Sequence, residues 1–455
     1  MLFNSIDFLI FLSLFYITIF FLKKYWKIVG IFFSIIFYGY WSLKFLILLY
    51  FLVLQGYFFG KLILKERNKL FLFLPISISL ISLIFFKYFN FFLEEILSIN
   101  NKNSIINFSY KIILPLGISF YTFQVIAFVI DIYKGRIKKI KLIDYLFFIT
   151  FFPQLIAGPI LRFNKIVPQF KDKLKADPKK IVIGIQLILW GFFLKVCLAD
   201  NASVYVDTYF SQPQITNSPT LFFCTLFFGF QIYGDFCGYS LIAIGICKTI
   251  NINIGANFNQ PYLSKTFKEF WKRWHISLSS YIRDYLYIPL GGNRGNMITN
   301  SIILLFCMTV SGFWHGASFF FIFWGLMHGI LMLLERFIKI NNKFLSNIYG
   351  IIVIILVFLL WIPFRVGDLD SNLIIFKKLI SLDILNLNKI LNKFFFIKIC
   401  LLIIFTYLID IILTKKLVVK LQNNTFAIAF FMAFILILIM STGNFSEKTF
   451  IYFQF

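Results

Sequence analysis

The sequence predicts an all-α polytopic membrane protein, and three observations carry that reading. Apolar residues make up 60% of the 455 positions and charged ones only 14%, where soluble domains sit near half and a quarter. Apolar runs of about eighteen residues or more recur along the chain, long enough for a helix to cross hydrocarbon. Basic loops punctuate those runs, as they do in chains oriented across a bilayer.

Charge and cysteine content narrow the function classes. Lys and Arg number 44 against 19 acids, a formal +25, which in a soluble chain would suggest nucleic acid. Here cytoplasmic loops of a membrane protein account for it, so no nucleic-acid partner is expected. Cys197, Cys224, Cys237, Cys247, Cys307 and Cys400 lie singly in apolar runs without a CxxC pair. They read as small buried hydrophobes, with neither a disulfide frame nor a metal site.

Twelve spans are expected, at 4–22, 28–41, 43–64, 70–95, 111–133, 181–199, 219–247, 298–313, 316–335, 346–363, 394–413 and 425–441. The first lacks a basic leader and a small-residue cleavage site, and so reads as a retained span. Lys23, Lys24 and Lys27 follow it; Lys65, Arg67 and Lys69 follow the third, and Lys134 to Lys141 the fifth. The 200–218 segment, read as a loop, has no Lys or Arg, which places the N-terminus outside and the basic loops in the cytoplasm. Residues 142–161 do not fit that count. They carry Pro153, Gly158 and Pro159, which interrupt helices, and a re-entrant hairpin beside a cavity is expected.

Between Lys248 and Met297 the chain is expected to stay at the cytoplasmic surface. Thr266 and Glu269 have capping-box spacing, so a helix should start at Phe267. One face then holds Phe267, Phe270, Trp271, Trp274, Leu278, Tyr281, Ile282 and Tyr285. Lys268, Lys272, Ser279 and Arg283 lie beside it, and Glu269 and Arg273 are spaced for an i,i+4 pair. An amphipathic helix in the interface plane follows, with His275 at the border of its aromatic face.

The candidate chemistry centres on 262–328, which holds all three histidines. His315 lies between two apolar segments, where an ionisable group is a functional hypothesis by default. Ser311, Gly312, Gly316, Ala317 and Ser318 around it should leave room for a substrate. The plainer alternative is a neutral histidine hydrogen-bonded between helices. His275 could equally be an interfacial filler, and His328 reads better as bonding a neighbouring helix. Asp235, inside a span, needs a partner or water; Lys195 is a candidate, and counter-ion and pathway roles both stay open. Gly291, Gly292 and Gly295 around Arg294 could offer backbone N–H groups to a phosphate. Walker, HExxH and GxSxG patterns are absent from the sequence, which leaves histidine as the candidate general base.

These residues resemble the membrane-bound O-acyltransferases, and within them the bacterial branch that acetylates alginate and related envelope polysaccharides, peptidoglycan included. The matching segments are LPLGISFYTFQVIAFVIDIYKG (114–135), FFPQLIAGPILRF (151–163), QIYGDFCGYSLIAIG (231–245), NFNQPYLSKTFKEFWKRWHISLSSYIRDYLYIPLGGNRGN (257–296), FWHGASFFFIFWGLMHG (313–329) and the terminal FIYFQF. Continuation of RWH into YIPLGGNRGN favours the acetylating branch over teichoic-acid D-alanylation.

The resemblance implies one membrane-embedded domain over 1–455, a helical bundle of about 11–12 spans with re-entrant and interfacial helices around a central tunnel. Residues 1–110 would supply N-terminal spans, 111–335 the catalytic core and 336–455 C-terminal spans. His315 matches the family's signature histidine, and His275 the second active-site position, which is Asn in some relatives. The donor is expected to be acetyl-coenzyme A or an acyl carrier, a cytoplasmic substrate with no bound cofactor. By charge and place, Lys272, Arg273, Arg283 and Arg294 are the donor-binding candidates, and Asp235 and Trp314 are tunnel or pathway candidates. The expected activity moves acetyl across the bacterial inner membrane to a periplasmic polysaccharide, with a separate periplasmic transferase as partner. D-alanyl or other acyl transfer and a non-enzymatic transporter are the alternatives.

Overall fold

A computed structural model describes all residues except 97–111, 172, 339, 341, 415–424, 447, 449 and 452–455. The start of the expected 111–133 span and the last four residues of the terminal FIYFQF therefore lie outside the described residues. Helices account for all regular structure among those described.

The expected spans appear as α1 (Ile6–Phe21), α2 (Trp26–Trp41), α3 (Leu43–Lys65), α4 (Lys69–Phe91) and α5 (Ile118–Tyr133). After the short helices α6 (Leu142–Thr150), α7 (Phe152–Ala157) and α8 (Phe163–Ile166) come α9 (Pro178–Phe192), α10 (Asp200–Phe210) and α11 (Ser218–Thr249). Two seven-residue helices, α12 (Phe267–Arg273) and α13 (Ile276–Ile282), precede α14 (Met297–His315) and α15 (Phe319–Leu334). The chain then forms α16 (Lys343–Arg365), α17 (Leu369–Ile380), α18 (Lys393–Thr414) and α19 (Thr425–Thr442). Among the described residues nine helices are long and apolar enough to cross a membrane, while α1, α2 and α5 are shorter. The protein is thus an all-α, multi-pass membrane protein.

Two boundaries differ from expectation. Pro115 and the left-handed Gly117 (φ 69°) keep 112–117 out of α5. The basic-free segment after Ala199 is not a loop: a π-helical turn over Phe193–Ala199 carries α9 directly into α10.

The described residues form two compact units, Met1–Ile188 with Ala243–Gly255, and Leu189–Ile242 with Ala256–Phe455. In the first, α3 brings Gly56 and Gly60 against Val125, Phe128 and Ile132 of α5, the close approach that small residues permit between membrane helices. The expected break in 142–161 is present, falling at Phe151 between α6 and α7. Its backbone groups are satisfied from neighbouring side chains. Gln154 Nε2 donates to the carbonyls of Phe148 and Ile149 (3.0 and 2.8 Å), Gln124 donates to Gln154 Oε1, and the Phe152 N–H donates to Ser34 Oγ.

In the second unit the π turn places Lys195 in the core. Its ammonium lies 2.8 Å from Asp200 Oδ1 and 2.7 Å from Asp235 Oδ1, with all three side chains almost wholly buried. The Ile451 N–H donates to the other Asp235 oxygen at 2.6 Å. Lys195 is thus the partner that Asp235 needed. Against this cluster α9 and α11 meet at two glycines, each of whose added Cβ would come within 2.7 Å of the other's carbonyl at Gly191 and Gly238. Outward-facing residues such as Ile298, Ile302 and Met440 are exposed and apolar, as contact with lipid requires.

Candidate active site

His315 is the last residue of α14, and the chain leaves the helix at Gly316 in an extended conformation. Ser318 caps α15 by accepting the Phe320 N–H, so the hairpin closes within three residues. The two helices then pack at backbone distance. A Cβ at Gly312 would stand 2.1 Å from the Phe321 carbonyl, and one at Gly325 2.3 Å from that of Met308. A Cβ at Gly316 would meet the Phe321 ring at 2.1 Å. Gly312 and Gly316 beside His315 therefore serve helix packing and leave no space themselves, whereas Ser311 lines an adjoining cavity. His315 itself is 2% exposed, ringed by Trp314, Trp324 and Phe364 with centroids 5.1, 5.3 and 5.6 Å away.

His275 reaches the same place by another route. Thr266 caps α12 as expected, its Oγ1 accepting the Glu269 N–H at 3.0 Å, while the Glu269 carboxylate turns back to the Lys265 N–H. The Glu269–Arg273 pair forms at 2.8 Å. The helix does not run on to Tyr285, however. Trp274 is extended and His275 is left-handed (φ 41°, ψ 54°), which splits the expected interfacial helix into α12 and α13. Trp274 and His275 are consequently fully buried, so His275 is not at the border of a surface helix. Histidine is among the residues that tolerate this conformation, and the break delivers its ring inward.

The two imidazoles face one another with centroids 6.2 Å apart. Ring nitrogens lie on the rim, so even the nearest exceed the ~3.2 Å reach of a direct hydrogen bond. Trp314 contacts both rings, at 5.1 Å from His315 and 5.9 Å from His275. Phe236, next to Asp235, stands edge-on to His275 at 4.6 Å. Burial pushes the His275 imidazolium down to about 3, so the ring is neutral at physiological pH. His328 lies apart from this pair among Phe270, Trp271 and Trp324. Neither of its ring nitrogens has a hydrogen-bond partner among the described residues, contrary to the interhelical bond expected of it.

A cavity of about 520 Å³ opens beside the site. Lys268, Arg283 and Arg336 supply basic groups to its lining, and its inner residues include Trp271, Met308 and Ser311. Ser311 lies one turn before His315 on α14, hence on the same face. Of the expected donor-binding residues only Arg283 lines this cavity. Lys272 and Arg273 line a separate open concavity that shares Lys268 with it. Arg273 is already committed to Glu269 and to the Asn259 carbonyl. Arg294 sits on the exposed turn before α14 and lines neither. The anion-loop reading of that turn also fails. The N–H groups of Gly291, Gly292, Arg294 and Gly295 already donate to Ile288 O, Tyr287 O, Gly291 O and Asn300 Oδ1. Lys268 and Arg336, not among the expected residues, also line the cavity; only their charge marked them in the sequence.

One buried residue went unmarked altogether. Asn257, 1% exposed, accepts from the Ser277 N–H (3.2 Å) and Ser277 Oγ (2.8 Å) and lies 3.2 Å from His275 Nδ1 through the same oxygen. Its carbonyl also accepts the Ile276 N–H at 2.9 Å. A single Asn after an apolar segment carries no signal that would single it out.

Comparison with known proteins places the chain in a family. Residues 132–362 match the model of the MBOAT, membrane-bound O-acyltransferase, family. The chain is 35% identical over 401 residues to a peptidoglycan O-acetyltransferase of Helicobacter pylori, covering 79% of this chain and 74% of that one. It is 36% identical over 370 residues to a probable alginate O-acetylase of Pseudomonas aeruginosa, covering 79% and 70%. A teichoic acid D-alanyltransferase of Bacillus subtilis is 32% identical over 251 residues, 51% of this chain and 62% of that one.

Proposed function

The chain belongs to the membrane-bound O-acyltransferase family and is an acyltransferase, and we propose that it moves acetyl groups across the bacterial inner membrane to O-acetylate an envelope polysaccharide, peptidoglycan or an alginate-like polymer. The observation that carries this is the facing pair of buried imidazoles, His275 and His315, beside a cavity with basic groups in its lining. Acetyl-coenzyme A is the donor. Its phosphates meet Lys268, Arg283 and Arg336 from the cytoplasmic side, and its thioester lies towards Ser311 and His315.

His315 acts as general base. It takes the proton of an acceptor hydroxyl as that oxygen attacks the thioester carbonyl; the C–S bond breaks and the thiolate leaves, regaining the proton from His315. Base catalysis contributes about 10²–10⁴ in rate, and holding both reactants in one buried site contributes the larger share. The acceptor is a glycan hydroxyl or a serine of a separate periplasmic transferase. The basic loops orient the N-terminus to the periplasm. The D-alanyl relatives make amino-acyl transfer the second reading.

A His315→Ala variant at normal membrane abundance should lose ester-linked acetate from one envelope polymer, measured by base release and quantification. Unchanged acetate in every polymer would sink the reading; release of alanine in place of acetate would move it to the second.

A further inference from the structure

The Asn257–His275 contact decides which way round the second imidazole works. Asn257 Oδ1 receives the Ser277 backbone N–H, a group that can only donate. That bond fixes the amide orientation, since the reversed side chain would set an NH₂ against an N–H. The oxygen so placed is also 3.2 Å from His275 Nδ1. An oxygen acceptor there requires Nδ1 to carry the proton, and in a neutral ring Nε2 then holds the lone pair.

We propose that Asn257 is a positioning residue that locks His275 in the Nδ1–H tautomer, making Nε2 a hydrogen-bond acceptor in the acyl-transfer site. This rests on the acyl-transfer reading and sharpens it. A ring held this way cannot polarise a thioester carbonyl, which would need an N–H at Nε2. It can accept from the attacking hydroxyl or from an amide N–H of the donor, so His275 orients a donor group while His315 takes the proton. The same residue holds the backbone on which the ring sits. Ile276 N–H donates to the Asn257 carbonyl, and Ser277 is bound twice to the side chain. Ring tautomer and left-handed backbone are therefore set together. Among the described residues, His315 on α14 is a titratable side chain facing His275 across the site.

The chain has three histidines, so ¹⁵N-histidine labelling of the full-length protein in bilayers resolves each ring, with a His275→Gln sample identifying its signals. At neutral pH His275 should show a protonated Nδ1 and an unprotonated Nε2; the opposite pattern overturns the proposal. Asn257→Asp keeps the acceptor and adds a charge. It should retain the tautomer and a kcat within about tenfold, and move the acid limb of the pH–rate profile upward by about one unit or more. Asn257→Leu should mix the tautomers and lower kcat by about 10²–10⁴-fold with little change in KM. Equal losses in both variants, with no shift in the profile, would mean that Asn257 only braces the fold. Should the leucine variant fail to fold, the wild-type spectrum and the aspartate variant still decide. The spectrum is independent of activity: it stands if His315→Ala proves silent, and that result would remove the acyl-transfer reading alone.

Discussion

The α14–α15 hairpin and the 257–287 segment each deliver one imidazole, and they do so by different physics. His315 ends a regular helix whose position is set by two glycines packed against opposing backbone. His275 sits in an irregular break, in a conformation that costs about 1–2 kcal/mol for most side chains, held by hydrogen bonds that Asn257 accepts. One site position depends on shape and the other on polar satisfaction. Substitutions that add volume should therefore injure the first, and those that alter backbone preference or charge should injure the second.

The largest effect is expected at the hairpin. Gly312→Val places carbon against the Phe321 carbonyl and should cost about 3 kcal/mol, with loss of folded protein in detergent measured by size-exclusion thermostability. A variant as stable as wild type would show that the hairpin can open, removing the contrast.

Next comes pH, acting through His275. Burial holds the folded His275 at about 3 against an ordinary value of 6.5. The unfolded ring therefore takes a proton first. Its contribution is intact above the unfolded value and falls away as pH drops from 6.5 towards 3. At ~1.4 kcal/mol per unit, wild type should lose about 2 kcal/mol between pH ~6.5 and ~5 that His275→Asn does not lose. Unfolding curves of both proteins at the two pH values check the difference.

Backbone preference gives a smaller and sharper test. His275→Val should be about 1–2 kcal/mol less stable than His275→Asn, because a β-branched residue resists the left-handed region that Asn tolerates. At His315 the same two substitutions should differ by less, since that backbone is helical. The smallest effect belongs to the half-exposed Glu269–Arg273 pair, where Arg273→Met should cost about 0.3–0.5 kcal/mol.

The same division governs what could be read from the sequence. The spans, the interruption in 142–161, the Thr266 cap and the Lys195–Asp235 pair follow from hydropathy, breakers and charge, each a property of the residues themselves. The break at Trp274–His275 was hidden because apolar residues keep helical spacing straight through it, from Phe270 and Trp271 to Leu278 and Tyr281. Periodicity records which residues turn inward and is silent when the chain changes course while still burying them. Glycines near His315 looked like space and are contact, since sequence cannot tell a gap from a surface that another helix fills. Asn257 acts through partners 18 to 20 positions away, His275, Ile276 and Ser277, and no local pattern joins them.

Four charged side chains line the cavity beside α12, three basic and one acidic. The acid, Glu335, turns its oxygens to the N–H groups of Phe267 and Lys268, at 2.7 and 3.0 Å, and to the Tyr349 hydroxyl. Its charge is held by the helix start, and the cavity lining keeps a net positive field. Such a field acts over a Debye length of about 8–10 Å at physiological ionic strength. Added salt should thus slow capture of a polyanionic ligand at low concentration while leaving turnover at saturation as it was.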